Sequence, residues 1–268
     1  MNEMAVCGCS MKVDWNYKNK NLLKTGLLLL LYVVGIYLLI TKMILLEKSG
    51  SGAGKPETGR TSDVSRGKEN EKALQYVGSS MIKEAPKIAI TFDDGPNPDY
   101  TEELLSGLKE RGVSATFFLL GKEVEQYPEI VKKIHEGGHL IGTHSYEHVN
   151  LSNLTDAAAI EQVDKTNAAI HEIIGVFPEY IRPPFGCWKP NLDYETTMIE
   201  VLWDVDPKDW ATSNSSVIAQ RVLGDVEEND IILLHDASES SVLAAFKIID
   251  ELKAQGYTFV TVEDILLE

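Results

Sequence analysis

The chain after residue 86 alternates short apolar runs with longer segments in which apolar residues recur every three to four positions. The short runs are rich in β-branched and aromatic residues, which is typical of buried strands. There are seven of them: Lys87–Phe92, Ala115–Leu120, His139–Thr143, Glu179–Arg182, Ile199–Trp203, Asp230–Leu234 and Thr258–Val262. This pattern predicts seven strands.

The intervening segments have the periodicity of amphipathic helices. They are Thr101–Arg111, Tyr127–Glu136, Asp156–Ile174, Ser216–Leu223 and Val242–Gln255. We expect Gly112 to end the first helix and Thr155 to cap the third. Only the connection from Arg182 to Ile199, which contains three prolines, lacks a helical period. Strands that alternate with helices pair in parallel and are covered by those helices, so the predicted fold class is α/β.

One segment before residue 86 has no polar face. Thr25–Thr41 contains no charged residue, and if the flanking lysines snorkel, the apolar stretch extends from Leu22 to Leu46. That is long enough for a single transmembrane helix. A cleaved signal peptide is the alternative, but its apolar region is usually about 7–15 residues and ends at a small-residue cleavage site. We therefore expect a retained anchor over residues 25–46.

The remaining N-terminal sequence predicts two further regions. Residues 1–24 form the expected cytoplasmic tail, and residues 47–85 are rich in Gly, Ser and charge, which is typical of a flexible linker. Residues 86–268 are the expected folded domain. The lysines on the two sides of the apolar segment are nearly balanced, so they do not decide its orientation in the membrane.

The charge of the chain is uneven along its length. The chain has 25 Lys and Arg residues and 41 Asp and Glu residues, so its formal net charge is −16. Residues 1–85 carry 12 basic and 8 acidic side chains, and residues 86–268 carry 13 and 33, so the second part has a net charge of −20. Such a surface repels nucleic acid and other polyanions, which excludes them as expected partners.

Five polar clusters follow the carboxyl ends of predicted strands. They are DDGP at 93–96, HSYEH at 144–148, RPPFG at 182–186, DVDPKDW at 204–210 and HD at 235–236. In a parallel α/β barrel these strand ends converge on one face, and that face carries the active site. We therefore expect the five clusters to form one site.

A carboxylate with two histidines is a recurrent metal-binding set that leaves coordination positions open for water and substrate. If the chain turns helically at His144 and His148, both imidazoles point the same way and can share a metal. Each cluster also has a structural interpretation, since Asp93 and Asp94 can form a turn and the histidines can be surface residues. The same holds for Arg182, Asp209 and His235, as an ion-pair partner, a loop aspartate and a core histidine.

In these motif residues, the segment 86–265 resembles the polysaccharide deacetylases with the NodB homology domain, which form carbohydrate esterase family 4. The segments TFDDGP, HSYEH, RPPFG, DPKDW and ILLHD correspond to the five motifs of that family in order and spacing. The resemblance is strongest to membrane-anchored bacterial peptidoglycan N-acetylglucosamine deacetylases. It implies a distorted (β/α) barrel with about seven parallel strands and metal-dependent removal of acetyl groups from polysaccharides.

The resemblance also implies a role for each motif residue. Asp93 looks like the general base and Arg182 like the arginine that orients it, while His235 resembles the catalytic acid held by Asp209. Phe185 stands where the family often has tyrosine, and its backbone N–H is the expected oxyanion donor. The expected metal ligands are Asp94, His144 and His148, and the expected walls of the acetyl pocket are Trp210, Leu233 and Pro184.

The implied cofactor is one divalent metal ion. Zinc is the first expectation, and cobalt, manganese or nickel also suit two histidines and a carboxylate. Cys187 follows RPPFG directly, and we expect it to be a structural thiol rather than a ligand.

The expected substrate is peptidoglycan N-acetylglucosamine, with chitin oligomers, poly-N-acetylglucosamine and acetylated xylan as alternatives. Envelope glycans lie outside the membrane, so we expect the N-terminus inside a bacterial cell and the catalytic domain outside. A non-catalytic, membrane-anchored glycan-binding protein and a hydrolase of small cyclic amides are the rival functions. Apart from the glycan and the membrane, the sequence indicates no partner.

Overall fold

A computed structural model describes residues 85–194 and 196–267. The predicted tail, the anchor over residues 25–46 and nearly all of the predicted linker lie outside the described residues. Within the described ranges, no helix is both long and apolar enough to cross a membrane.

All seven predicted strands are present, although several are shorter than the sequence suggested. They are β1 Lys87–Asp93, β2 Thr116–Leu119, β3 Leu140–Thr143, β4 Tyr180–Ile181, β5 Ile199–Glu200, β6 Ile231–His235 and β7 Thr258–Val260.

The described chain also contains α-helices and short 3-10 helices. The α-helices are α1 Thr101–Arg111, α2 Gly121–Gln126, α3 Pro128–Glu136, α4 Asp156–Ile174, α5 Ser215–Asp225, α6 Glu239–Ala254 and α7 Val262–Leu266. The 3-10 helices are Leu151–Asn153, Pro184–Gly186, Pro190–Tyr194 and Asp209–Ala211. The sequence pattern did not predict α2 and α7, because six and five residues are too few to show a helical period.

The strands form one parallel sheet in the order β5-β4-β3-β2-β1-β6, and β7 also pairs with β1. The chain after β5 then curls across to the other side of the sheet. Val201 N–H donates to the Ile181 carbonyl beside β4 at 2.8 Å, whereas the Leu233 N–H of β6 donates to the Val205 carbonyl at 2.9 Å. The result is a curled, parallel α/β sheet whose strand ends face one side, as predicted.

Strand β1 separates two apolar cores, because successive strand residues point to opposite faces. Ile88, Ile90 and Phe92 belong to the larger core under helices α1, α3, α5 and α6, while Ala89 packs with Phe118 on the other face. Burial on both faces explains why the sequence of β1 is a continuous apolar run. A central strand held in this way gives the residue at its end, Asp93, a fixed position.

Candidate active site

The structure brings the five polar clusters together at the carboxyl ends of the strands. Asp93 is the last residue of β1, and its sheet neighbours are Phe118 on β2 and His235 on β6. His144 follows β3 and Arg182 follows β4, and the Arg182 N–H donates to the Thr143 carbonyl. The predicted convergence of the clusters is confirmed.

Asp93 and Arg182 form a buried ion pair. Arg182 Nη1 lies 2.8 Å from Asp93 Oδ1 and 2.6 Å from the Thr91 hydroxyl, and the two side chains are almost inaccessible to solvent. Burial raises the pKa of Asp93, and the charge of Arg182 offsets part of that rise. Such a pair stays together because removal of either partner leaves an uncompensated buried charge. The geometry therefore holds Asp93 in one orientation.

Asp94, His144 and His148 form a compact set of possible metal ligands. Asp94 Oδ1 lies 3.5 Å from His144 Nε2 and 3.4 Å from His148 Nε2, and one ligand atom from each residue lies within 4.8 Å of the other two. Two ligands on one zinc ion at tetrahedral angles are about 3.4 Å apart. Within the described residues, Asp94 Oδ1 is buried and has no hydrogen-bond partner. These residues fit a divalent cation.

The helical turn considered from the sequence as one way to align the two histidines is absent. The segment between His144 and His148 is not helical, and Ser145 and His148 have positive φ angles of 66° and 57°. Asp94 also has a positive φ of 74°. The two imidazole rings nevertheless lie 5.1 Å apart, because an irregular loop rather than a helix turns His148 back toward His144.

The ring of His144 is prepared for metal binding by its surroundings. Its Nδ1 lies 2.6 Å from the Arg182 carbonyl oxygen, which can only accept a hydrogen bond, so Nδ1 carries the proton and Nε2 keeps its lone pair. Burial lowers the pKa of His144 to about 3, although the Asp94 carboxylate opposes that shift. A neutral imidazole oriented by a carbonyl is the usual arrangement of a metal-binding histidine.

His235 and Asp209 form a second pair across the cleft. His235 Nδ1 lies 2.8 Å from Asp209 Oδ1, and the same carboxylate accepts hydrogen bonds from the His235 N–H, the Trp210 N–H and the Ser241 hydroxyl. Burial alone would lower the pKa of His235, but the hydrogen bond and charge of Asp209, with the charges of Asp93 and Asp94, raise it to about 9. His235 is therefore protonated at neutral pH.

A cleft of about 530 Å³ contains parts of these groups. Trp210, which is 60% exposed, forms one wall. Leu233 and Pro184, the other expected pocket residues, are buried and are not among the residues that line this cleft. The Phe185 ring packs edge-on against His148 with ring centres 4.8 Å apart, so Phe185 lies at the rim beside the possible metal ligands. The cleft is lined by Asp94, Asp209, Trp210, Ala211, Thr212, Ser213, His235, Ala237, Ser238, Ser240 and Ser241.

Comparison with known proteins assigns the chain to a family. The family described as polysaccharide deacetylase matches residues 81–201. The peptidoglycan-N-acetylmuramic acid deacetylase PdaC of Bacillus subtilis is 40% identical over 178 residues, 66% of this chain and 38% of PdaC. A peptidoglycan-N-acetylglucosamine deacetylase of Bacillus cereus is 36% identical over 201 residues, 71% of this chain and 93% of that relative. The chain belongs to the polysaccharide deacetylase family.

Solved structures of family members have the same fold as this chain. The structure of PdaC matches with a TM-score of 0.66 at 40% identity, over 68% of this chain and 90% of that one. BA3943 of Bacillus anthracis, a CE4 family pseudoenzyme, matches with a TM-score of 0.64 at 28% identity, over 68% of this chain and 66% of that one. The chain spans less than half of the length of PdaC, 38%.

Several residues that support the deacetylase-family site were not predicted from the sequence. Thr91 and Ser241 hold Arg182 and Asp209, and Gln162 accepts two hydrogen bonds from the loop that carries the histidines. The buried Asp236 carboxylate accepts a hydrogen bond from the Thr101 hydroxyl. A polar residue inside an apolar strand, as at Thr91, is the one signal that could have been noticed.

Proposed function

We propose that this protein removes N-acetyl groups from N-acetylglucosamine residues of peptidoglycan and releases acetate. The observation that carries the proposal is the placement of Asp93 and His235 beside the set Asp94, His144 and His148. These groups come from three separate strand ends, those of β1, β3 and β6, and meet at one cleft. Such convergence of an acid, a base and a ligand set is what amide hydrolysis requires.

Asp93 is the group suited to accept a proton. Its Oδ1 is held by Arg182, while its Oδ2 faces His144 Nε2 at 3.8 Å. Asp93 therefore presents one free carboxylate oxygen toward the ligand set, where an attacking water would have to lie. Because burial raises the pKa of Asp93, its carboxylate is a stronger base than an exposed aspartate.

His235 is the group suited to donate a proton. Its Nδ1–H is committed to Asp209, which leaves Nε2–H as the available donor. A departing amine needs a proton as the carbon–nitrogen bond breaks, and a protonated His235 supplies it. Asp93, whose pKa is raised by burial, and His235, whose pKa is about 9, thus have opposite tasks.

The ligand set supplies the remaining chemistry. A divalent cation held by Asp94, His144 and His148 would provide Lewis-acid polarisation of the acetyl carbonyl. Zinc is the proposed ion, because two neutral imidazoles and one carboxylate are common zinc ligands that leave positions open. The backbone N–H of Phe185 is proposed as a further donor to the developing oxyanion.

The choice of sugar rests on the charge of the domain. Relatives named as peptidoglycan deacetylases act on either N-acetylglucosamine or N-acetylmuramic acid. At the site itself, Asp93, Asp94 and Asp209 are offset by Arg182, His235 and the proposed cation. The net charge of −20 on residues 86–268 remains, and it disfavours a carboxylate on the substrate. N-acetylglucosamine has no carboxylate, whereas muramic acid carries a lactyl carboxylate that is free wherever no peptide is attached.

We further propose that the catalytic domain lies outside a bacterial membrane and is tethered by residues 25–46 and the linker after them. The apolar sequence of Thr25–Thr41 and the location of peptidoglycan support this arrangement. A tethered domain reaches the wall layer that is nearest to the membrane.

The test is to incubate the full chain with purified peptidoglycan and with chitin oligomers, and to measure released acetate and new free amines. We expect acetate from peptidoglycan, with the amines on glucosamine units. Asp93→Asn should lower kcat about 10²–10⁴-fold because it removes the base. Asp164→Asn, an exposed carboxylate of α4, is the matched control and should leave the rate unchanged.

A glycan-binding protein without turnover is the rival, and BA3943 shows that the family contains a pseudoenzyme. In this chain the proposed base lies within 3.8 Å of the ligand set, and the proposed acid is on the neighbouring strand, which favours catalysis. Glycan binding without acetate release, in the presence of zinc or cobalt, would establish the rival instead.

A further inference from the structure

The loop that carries the two histidines is held by a side chain from another element. Gln162 lies in the middle of α4, and its Oε1 accepts hydrogen bonds from the Tyr146 N–H at 3.1 Å and the Glu147 N–H at 3.0 Å. Because both partners are donors, the atom between them must be the amide oxygen. Two successive backbone N–H groups that point at one position form a small binding site for an electronegative atom. The amide oxygen of Gln162 occupies it.

The carbonyl groups of the same loop are held by a second element. The N–H groups of Gly121 and Lys122, at the start of α2, donate to the carbonyls of Ser145 and Tyr146 at 3.1 and 3.2 Å. The loop is therefore hydrogen-bonded to both α2 and α4. The loop backbone is held by backbone groups of α2 and by the Gln162 side chain of α4. The Tyr146 side chain also contacts Glu125 of α2 and Lys165 of α4.

The position of His148 depends on these hydrogen bonds more than the position of His144 does. The ring of His144 has its own support, the 2.6 Å contact with the Arg182 carbonyl. Among the contacts of the described residues, the ring of His148 has no hydrogen bond apart from its approach to Asp94, and it packs edge-on against Phe185. Its position is set by the backbone, which has a φ of 57° at His148 and 66° at Ser145.

We propose that Gln162 is a positioning residue of the metal site: by holding the 146–147 peptide it places His148 within reach of the ion bound by Asp94 and His144. The inference rests on the proposed metal-dependent function. Gln162 touches neither the ligand atoms nor the cleft, so its contribution is to the geometry of the loop and therefore to metal affinity.

The experiment measures zinc and cobalt affinity of the full chain after removal of metal with a chelator. Gln162→Leu should raise the zinc Kd about 10–100-fold, the usual effect of losing a residue that orients a metal ligand. Gln162→Glu should keep the Kd within the same order of magnitude, because a carboxylate oxygen accepts the same two N–H groups. Gln220→Leu, the same change at an exposed position of α5, should leave the Kd unchanged.

Two further readouts separate positioning from general destabilisation. The thermal midpoint of the metal-free protein should change little, while the visible absorption of the cobalt form should change in Gln162→Leu and be restored in Gln162→Glu. If Gln162→Leu does not fold, Gln162→Asn replaces it, since a side chain one methylene shorter cannot reach both N–H groups, and a higher Kd is again expected.

Normal metal affinity in both Gln162→Leu and Gln162→Asn would overturn the inference, as would equal losses in Gln162→Leu and Gln162→Glu. Either result would leave the proposed deacetylation intact if the wild type still released acetate. Failure of the wild type to bind metal would overturn this inference and the metal-dependent function together.

Discussion

At the scale of single residues, neighbouring groups give the acids and bases of the cleft different protonation states. Burial raises the pKa of Asp93. Burial also acts to raise the pKa of Asp209, but hydrogen bonds from His235 and Ser241 outweigh it and lower that pKa. Asp93 is thus suited to take up a proton, and Asp209 is suited to keep His235 protonated. Separation of pKa values by environment is how one cleft provides both a base and an acid.

The Asp209→Asn variant tests this pairing through the pH dependence of activity. His235 has a pKa of about 9, above its ordinary value of 6.5, so activity that needs its proton should fall as the pH rises through about 9. Without the Asp209 charge, the alkaline limb of the kcat/KM profile should move down by about 1–3 pH units. Its acid limb should stay in place, and an unchanged alkaline limb would show that Asp209 does not set the charge of His235.

The positions of the proposed catalytic residues could be predicted from the sequence, whereas their supports could not. Asp93, His144 and His235 follow apolar runs along the chain, and that order is visible in one dimension. Gln162 and Ser241 act through contacts with residues 16 and 32 positions away, and nothing in their local sequence indicates those partners. The same limitation applies to the backbone at His148, where positive φ angles at isolated residues, rather than a helical turn, set the direction of the chain.

At the scale of elements, strand β3 is tightly packed against its neighbours just before His144. Gly142 lies in β3, two residues before His144, and a Cβ at this position would lie 2.6 Å from the Phe118 ring and 2.9 Å from the Tyr180 carbonyl oxygen. Real Cβ atoms do not approach other atoms so closely. Glycine is therefore required for β3 to pack between β2 and β4.

Gly142→Ala should destabilise the protein by about 1–3 kcal/mol, the usual cost of overpacking a core, and should weaken metal binding by shifting His144. The free energy of unfolding of the full chain in urea measures the first effect. Gly224→Ala is the matched control, because nothing lies within 4 Å of its Cβ position in α5. Equal stability of the two variants would mean that β3 has more room than the structure shows.

The long elements were predictable because each carries its own signals. Helices α1 and α4 have the predicted bounds, and both expected boundary residues act as predicted, with Gly112 in the left-handed conformation and the Thr155 hydroxyl accepting from the Ala158 N–H. Strands β4 and β5, by contrast, have two residues each and are defined by pairing with their neighbours. Tertiary contacts rather than local sequence determine where such strands end.

At the scale of the whole molecule, the curled parallel sheet explains why a site can be built from residues spread over more than a hundred positions. Parallel strands bring their carboxyl ends to one edge, and the curl turns that edge into a cleft. The regular strand–helix alternation made this arrangement predictable. The proposed anchor at residues 25–46 lies outside the described residues, so its prediction rests on the sequence alone.

The most direct test of a metal-dependent deacetylase centre is acetate release from purified peptidoglycan by the full chain, first depleted of metal and then titrated with zinc or cobalt. Depletion should reduce the release to background, and about one ion per chain should restore it, since Asp94, His144 and His148 form one ligand set. Undiminished acetate release by the metal-depleted chain would contradict the assignment, and so would the absence of acetate with either ion.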